Sequence, residues 1–129
     1  MILKHYRDAE AIAMTDEGGV KRDTGLTFIG GAHGVTKRVI LGQKEGAQNF
    51  IMRVIDFEKN AQSPYHKHPW EHEAFVIKGS GFAYVNGQQY TIQEGNVFFI
   101  APDEEHCFTT KDTPMEILCL IPRNDEGVE

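Results

Sequence analysis

The sequence predicts an all-β domain, a sandwich or barrel of antiparallel strands. Runs of β-branched and aromatic residues recur at intervals of about 8–12 residues and are separated by turn-forming residues. Asn86-Gly87 stands between two of these runs, and this dipeptide is the strongest short-range signal for a β-hairpin. No segment of useful length shows the 3.6-residue period of an amphipathic helix.

Length and composition favour one globular domain. The chain has 129 residues, which is enough for one hydrophobic core and too few for two. We expect an N-terminal strand and glycine-rich loop in residues 1–34, a barrel core in 35–122 and a tail in 123–129. A net charge of −6 without a basic stripe argues against a nucleic-acid partner.

We find no membrane-span or signal-peptide pattern in the sequence. No apolar run approaches the roughly 20 residues of a membrane span, and the charged N-terminus lacks the apolar stretch of a signal peptide. Cys107 and Cys119 show no paired spacing, and we expect no disulfide between them. These features predict a cytoplasmic protein.

The first half of the chain is predicted to contain short strands joined by a long loop. Residues 1–7 alternate weakly and suggest an edge strand, which would need a neighbouring strand for stability. Residues 8–34 hold six of the 13 glycines and are predicted to be a loop with a small strand at 26–29. Stronger strands follow at 35–41 and 50–57, with a turn at 42–46.

The second half is predicted to contain six further strands. They are expected at 74–78, 82–85, 89–92, 97–100, from 106 onward and at 115–121, with a turn at 79–81. Residues 50–57 and 74–78 are apolar on both faces, so the barrel interior accounts for only one face of each. An uncovered outer face would be a large apolar patch, and we therefore expect a homodimer built by exposed sheet faces and the N-terminal strand.

The most informative stretch is the histidine-rich segment 66–73. Three of the six histidines lie there, and imidazole is the commonest metal ligand at neutral pH. His66 and His68 would leave the same face of an extended strand, and His72 has the same parity. His106 is the expected distant partner. His5 and His33 have no ligand-like neighbours and are left out of the site.

The motifs resemble those of a known family. The first is His-x-His followed by Gly79, and the second comprises Gly95, Pro102 and His106. The string HPWEHE at 68–73 is similar to small single-domain cupins that bind manganese through four histidines. The resemblance implies a double-stranded β-helix, or jelly-roll barrel, a Mn²⁺ cofactor and dimer formation.

The resemblance also implies the third ligand. In the common cupin pattern the third ligand is a glutamate, and six residues separate it from the glycine. Counting back from Gly79 places His72 at that position. Glu73 would point to the opposite face from His66 and His68. Either Glu71 or Glu73 could accept a hydrogen bond from a ligating imidazole, or both could be ordinary solvated acids.

Four neutral histidines would leave the charge of a divalent cation uncompensated. Such a Lewis acid attracts anionic ligands and has room for a substrate in an octahedral site. The alternative is a closed tetrahedral zinc site. Imidazole suits Fe²⁺, Ni²⁺, Zn²⁺ and Cu²⁺ as well, so only the resemblance favours Mn²⁺. Because a ligating imidazole must be neutral, metal affinity is expected to fall between pH 8 and 5.

The last strand and Arg53 are expected to supply the pocket. Glu116 should face water, which directs Ile117, Cys119 and Ile121 inward. Arg53 either points into the pocket and pairs with an anionic substrate or lies at the sheet surface. We also expect Phe99 or Phe108 in the pocket wall.

The function suggested by these features is that of a metal-dependent oxidoreductase, similar to a dioxygenase, for a small organic substrate that is anionic or chelating. The alternative is a non-catalytic protein that binds or senses a small molecule through its metal. A metal-assisted isomerase or lyase needs a positioned base. No base is evident in the expected pocket, which disfavours that third possibility.

Overall fold

The computed structural model describes residues 1–14 and 32–129. Within these ranges no helix is long and apolar enough to cross a membrane. Two short 3-10 helices, Tyr6–Asp8 and Gln43–Glu45, accompany the strands. The strands are β1 (Ile12–Ala13), β2 (His33–Leu41), β3 (Phe50–Gln62), β4 (His72–Val85), β5 (Gln88–Gln93), β6 (Val97–Ile100), β7 (His106–Thr109) and β8 (Met115–Pro122).

Two long strands close the sheet into a barrel. The first part of β3 and the first part of β4 both pair with β8, whose Ile117 lies opposite Ile55 on one side and Val76 on the other. The later parts of the same two strands pair with β7. Because β3 and β4 share two partners, the strands form a ring. The predicted all-β jelly-roll barrel is confirmed.

The barrel interior is filled by alternate side chains. In β4, for example, His72, Ala74 and Val76 are buried, whereas Glu73 and Phe75 are exposed. This is the period-two pattern of a strand with one face on the core. The core also includes inward residues of the other long strands: Ile51, Ile55, Phe57, Met115, Ile117, Cys119 and Ile121.

The strand expected at residues 1–7 is wrong. Residues 1–5 have no regular structure, and a 3-10 turn over Tyr6–Asp8 follows. His5 caps that turn, because its Nδ1 accepts a hydrogen bond from the Arg7 main-chain nitrogen at 3.2 Å. The N-terminal edge strand is β1, which pairs with β2. The strand expected at 26–29 lies outside the described residues.

The turn expected at 79–81 is also wrong, because β4 runs through it. Gly79 has φ of +81°, and the pairing with β8 shifts register between Val76 and Lys78. A side chain at Gly79 would overlap the main-chain oxygen of Pro114. The glycines therefore mark a bulge and a close approach of two strands.

Glu116 does not face water as expected. It is 2% exposed, and it lies 3.3 Å from Lys78 Nζ and 3.8 Å from Arg7 Nη2. These two long side chains cover the carboxylate on the outer face of β8. The alternation along β8 is as expected, because Ile117, Cys119 and Ile121 are buried on the other face.

Candidate metal centre

The histidines meet because two segments are joined by main-chain hydrogen bonds. His66 and His106 form an isolated antiparallel bridge, with N···O distances of 3.1 and 2.9 Å. The His68 carbonyl accepts a hydrogen bond from Asp103 N at 2.8 Å. His72 begins β4 and His106 begins β7, so the barrel fixes both positions.

The four imidazoles converge on one place. His66, His68 and His106 each offer a ligand atom within 4.8 Å of the others. His72 Nε2 lies 2.5 Å from His68 Nε2, and the His72 and His106 ring centroids are 5.0 Å apart. The structure thus brings together all four histidines selected from the sequence. It leaves His5 and His33 elsewhere, the latter with Nε2 at 2.8 Å from the Asn60 carbonyl.

Main-chain carbonyls orient two of the rings. His68 Nδ1 donates to the Trp70 carbonyl at 2.9 Å, and His106 Nδ1 donates to the Glu104 carbonyl at 2.8 Å. With the proton on Nδ1, Nε2 of each neutral ring carries the lone pair that a metal needs. Trp70 also stacks on His68, with ring centroids 4.6 Å apart.

The two acidic residues beside His72 do not orient the imidazole rings as those carbonyl groups do. Glu71 and Glu73 are both exposed, so the solvated alternative describes them.

The ring nitrogens fit a divalent cation. His106 Nε2 is buried and finds no hydrogen-bond partner among the described residues. Burial lowers the pKa of His66 to about 3 and that of His106 to about 4, and it also lowers the pKa values of His68 and His72. The imidazoles are therefore neutral at physiological pH. A buried lone pair with no partner, facing three other neutral imidazoles, is the environment of a metal ligand.

A cavity of about 390 Å³ opens beside the imidazoles. Its presence favours a site that is accessible to small molecules over a closed structural zinc site. Ile117 and Cys119 line it, as the alternation of β8 predicts. The other apolar walls include Ile55, Ala74, Phe98, Phe108 and Val128.

One expected wall residue, Ile121, and one of the two alternative phenylalanines do not line the cavity. Ile121 is buried on the inner face, but it lies farther along β8, opposite Ile51, and does not line the cavity. Phe99 is 56% exposed, because it alternates with Phe98 and faces outward from β6. Of the two phenylalanines expected in the wall, Phe108 is the one that lines the cavity.

Arg53 points into the cavity. It is 5% exposed, and its Nη2 lies 2.9 Å from Cys119 Sγ and 3.3 Å from His72 Nδ1. The Cys119 sulfur is itself 3.0 Å from His72 Nδ1. Arg53 and Cys119 thus contact the side of His72 that faces away from the other rings. Neither Cys119 nor Cys107 forms a disulfide.

Lys37 is a second cation in the cavity wall that was not predicted from the sequence. Burial and the nearby Arg53 guanidinium lower the pKa of this lysine. The signal was available in β2, because Lys37 has the same parity as the buried Val35. The Arg38 neighbour points the other way and lies 3.6 Å from Asp56.

Comparison with known proteins identifies the family to which this barrel belongs. Residues 53–121 match the Cupin domain family. Among curated protein sequences no significant match is found. The chain is similar in structure to the polyketide cyclase RemF from Streptomyces resistomycificus, with a TM-score of 0.78 and 26% identity over 96% of this chain and 80% of that one.

More distant structures show the same fold. A cupin-2 domain protein from Rhodospirillum rubrum has a TM-score of 0.73 and 15% identity over 95% of this chain and 75% of its own. A predicted oxalate decarboxylase from Thermotoga maritima has a TM-score of 0.70 and 17% identity over 94% and 98%. With more than half of its residues matched by the Cupin domain, and with this barrel, the chain belongs to the cupin family.

Proposed function

We propose that the protein is a metal-dependent enzyme that acts on a small organic anion. His66, His68, His72 and His106 would hold one divalent cation through ring nitrogens, and for His68, His72 and His106 the available nitrogen is Nε2. The observation that carries this proposal is the buried His106 Nε2, which lacks a partner among the described residues and faces the other imidazoles. For Mn²⁺ the support is the resemblance of the HPWEHE string at 68–73 to four-histidine cupins, and Fe²⁺, Ni²⁺, Zn²⁺ and Cu²⁺ are the alternatives.

The surrounding residues favour an anionic substrate. When bound, the cation would supply a Lewis acid and, if it is Mn²⁺ or Fe²⁺, a redox centre. Its four ligands carry no negative charge, and Arg53 and Lys37 add two positive charges to the cavity wall. Ile117 and Phe108 limit water on the apolar side, which lowers the local dielectric and strengthens attraction for an anion.

The reaction that we propose is a dioxygenase-like oxidation. Among the described residues the cavity is lined by no aspartate or glutamate. A reaction that depends on a carboxylate general base therefore has no candidate there, whereas oxidation at a redox-active ion does not require one. Arg53 would orient the substrate anion, and the apolar wall would enclose its carbon skeleton.

A second candidate is a ring-forming reaction without net oxidation. It is favoured by the similarity to the polyketide cyclase RemF, which extends over 96% of this chain at 26% identity. The same cationic cavity could bind an enolate, and polarisation of a carbonyl group would assist ring closure. Non-catalytic binding or sensing of a small anion is the remaining alternative.

Two measurements test the proposal. Elemental analysis of protein purified without added metal should find about one equivalent of one transition metal, and His106→Ala should lose most of it. His33→Ala, which removes a histidine outside the site, should keep it. Protein that contains no metal and gains none on addition of Mn²⁺ or Fe²⁺ would refute the proposal.

The second measurement separates the reactions. We expect the metal-loaded protein to consume oxygen with at least one member of a panel of aromatic and 2-oxo carboxylic acids. Turnover of an enolisable polyketide-like substrate without oxygen consumption would favour the cyclase. Binding without turnover of either kind would favour a sensor.

Assembly and location are further proposals. We propose a homodimer through the outer face of β6 and β4, where Val97 is 70% and Phe99 56% exposed. We also propose a cytoplasmic location, in line with two buried cysteines that form no disulfide.

A further inference from the structure

We propose that Lys37 and Arg53 form a binding subsite for a carboxylate or enolate oxygen beside the metal centre, and that the tail occupies this subsite until an organic anion displaces it. The tail is defined here as residues 124–129. The inference rests on the proposed function for the identity of the site, and it adds the substrate class and a competing segment of the chain itself.

The two cations converge on one main-chain oxygen of the tail. Lys37 Nζ lies 2.7 Å and Arg53 Nη1 3.3 Å from the Glu129 main-chain oxygen. Arg53 also contacts His72, so this oxygen is bound next to the metal ligands. One oxygen atom with two cationic donors is the arrangement in which a carboxylate or enolate would be held.

The cations have little other compensation. Arg53 is almost fully buried, and its Nε has no hydrogen-bond partner among the described residues. Buried arginine is uncommon unless it is paired with an anion. Among the described residues no aspartate or glutamate lines the cavity, and the one carboxylate that acts on Lys37 is that of Glu129, which belongs to the tail itself. The fold therefore maintains two positive charges in a cavity where a bound anion would stabilise both.

The tail is held at this place by a small set of contacts. The Asn124 side chain accepts from Val128 N at 3.0 Å and donates to Val128 O at 2.9 Å. Gln43 N donates to Glu129 Oε2 at 2.7 Å, and a side chain at Gly42 would overlap that carboxylate. Val128 reaches the cavity wall.

The tail can also leave. Residues 125–128 are exposed, and Val128 retains 39% of its surface in contact with solvent. No residue of the tail is buried, so its attachment depends mainly on polar contacts. A substrate anion that satisfies the same two cations could therefore replace it.

The test uses benzoate as probe and benzamide as its uncharged analogue. Binding is measured by isothermal titration calorimetry on protein kept free of metal with a chelator, so that the probe cannot bind through a cation. We expect benzoate to bind and benzamide to bind at least tenfold more weakly. Lys37→Gln should weaken benzoate by about tenfold, the usual effect of one charge-assisted hydrogen bond.

Two variants test the tail, and one controls for charge. Deletion of residues 124–129 should tighten benzoate binding by about tenfold, and Asn124→Ala should tighten it by a few fold, because a competing segment is removed or loosened. Lys44→Gln removes the same charge from an exposed lysine outside the cavity wall and should leave the affinity unchanged.

The subsite and the role of the tail can be refuted separately. The subsite is refuted if benzamide binds as tightly as benzoate, or if Lys37→Gln binds benzoate like the parent protein. The role of the tail is refuted if its deletion leaves benzoate affinity unchanged. Lys37→Arg keeps the charge and should restore binding, which separates loss of the cation from misfolding. Failure of the proposed function would instead appear as absence of metal while benzoate binding persists.

Discussion

The burial of His106 predicts that the metal-free barrel is sensitive to mild acid. The side chain is 2% exposed, and burial lowers its pKa from an ordinary value of 6.5 to about 4. In the unfolded chain the same imidazole takes up a proton near pH 6.5. As the pH falls below 6.5, the unfolded state gains protons that the folded state does not bind, so stability is lost until the pH reaches about 4.

The magnitude follows from the difference between the two pKa values. At a pH low enough to protonate His106 in both the folded and the unfolded chain, this residue alone lowers the free energy of unfolding by about 3 kcal/mol. About 2 kcal/mol of that decrease should have occurred by pH 5. His66, whose pKa is about 3, adds to the effect in the same direction. A loss of this size is a large share of the stability of a small domain.

The assay is urea unfolding of chelator-treated protein at pH 7.5, 6.0 and 5.0. His106→Gln removes the titrating group. Between pH 7.5 and 5.0 the free energy of unfolding of this variant should therefore fall by about 2 kcal/mol less than that of the parent protein. His5→Gln replaces an exposed histidine outside the imidazole cluster and serves as the matched control. Equal slopes for the parent protein and His106→Gln would refute the reasoning.

Metal binding to the folded protein should respond to pH differently. Because His66 and His106 stay neutral to about pH 4, the affinity of the folded site should change little between pH 7.5 and 5.5 and decline below that range. This revises the expectation from the sequence, which placed the decline between pH 8 and 5. Competition with a chromophoric chelator would measure it. A steep loss by pH 6 would show that the rings are less shielded than this structure indicates.

Other substitutions test the barrel and its faces. Gly79→Ala should destabilise the protein by about 2–4 kcal/mol in urea unfolding, because φ is +81° and the new methyl group meets main chain; an effect below about 1 kcal/mol would contradict the close approach. Cys119→Phe should lower metal content by displacing His72, whereas Cys119→Ser should retain it; full metal content in Cys119→Phe would mean that the cavity has spare room. Sedimentation should show that the parent protein is a dimer at micromolar concentration and that Phe99→Glu is a monomer. Tyr90→Glu, at an exposed position on β5, is the control and should remain a dimer. A monomeric parent protein would rule the interface out.

The placement of the histidines could be deduced from the sequence because a strand has a fixed period. His66 and His68 share a face through their parity, and the seven-residue distance from His72 to Gly79 matches the cupin pattern. The same period placed Ile117 and Cys119 in the cavity wall. The face of a strand on which a side chain lies depends on local geometry, and residue spacing is sufficient to predict it.

Long-range packing decided the features that the spacing left open. Arg53 could have lain at the surface, and only the closed ring of β3, β8 and β4 directs it toward His72. Glu116 lies on the outer face of β8, as its position in the alternation predicts. Its burial, however, depends on Lys78 and Arg7, which come from distant parts of the chain.

The glycines and the tail show the same division. Gly79 carries a turn signal in the sequence, but β4 continues through it because β8 approaches closely there. The contact of Glu129 with Lys37 joins residues 92 positions apart, and no local pattern encodes it. The sequence alone determined the faces of the strands and the choice of candidate histidines, because these follow from residue spacings of a few positions. The tertiary structure decided which charges are buried and what meets them, because burial depends on segments that only the closed barrel brings together.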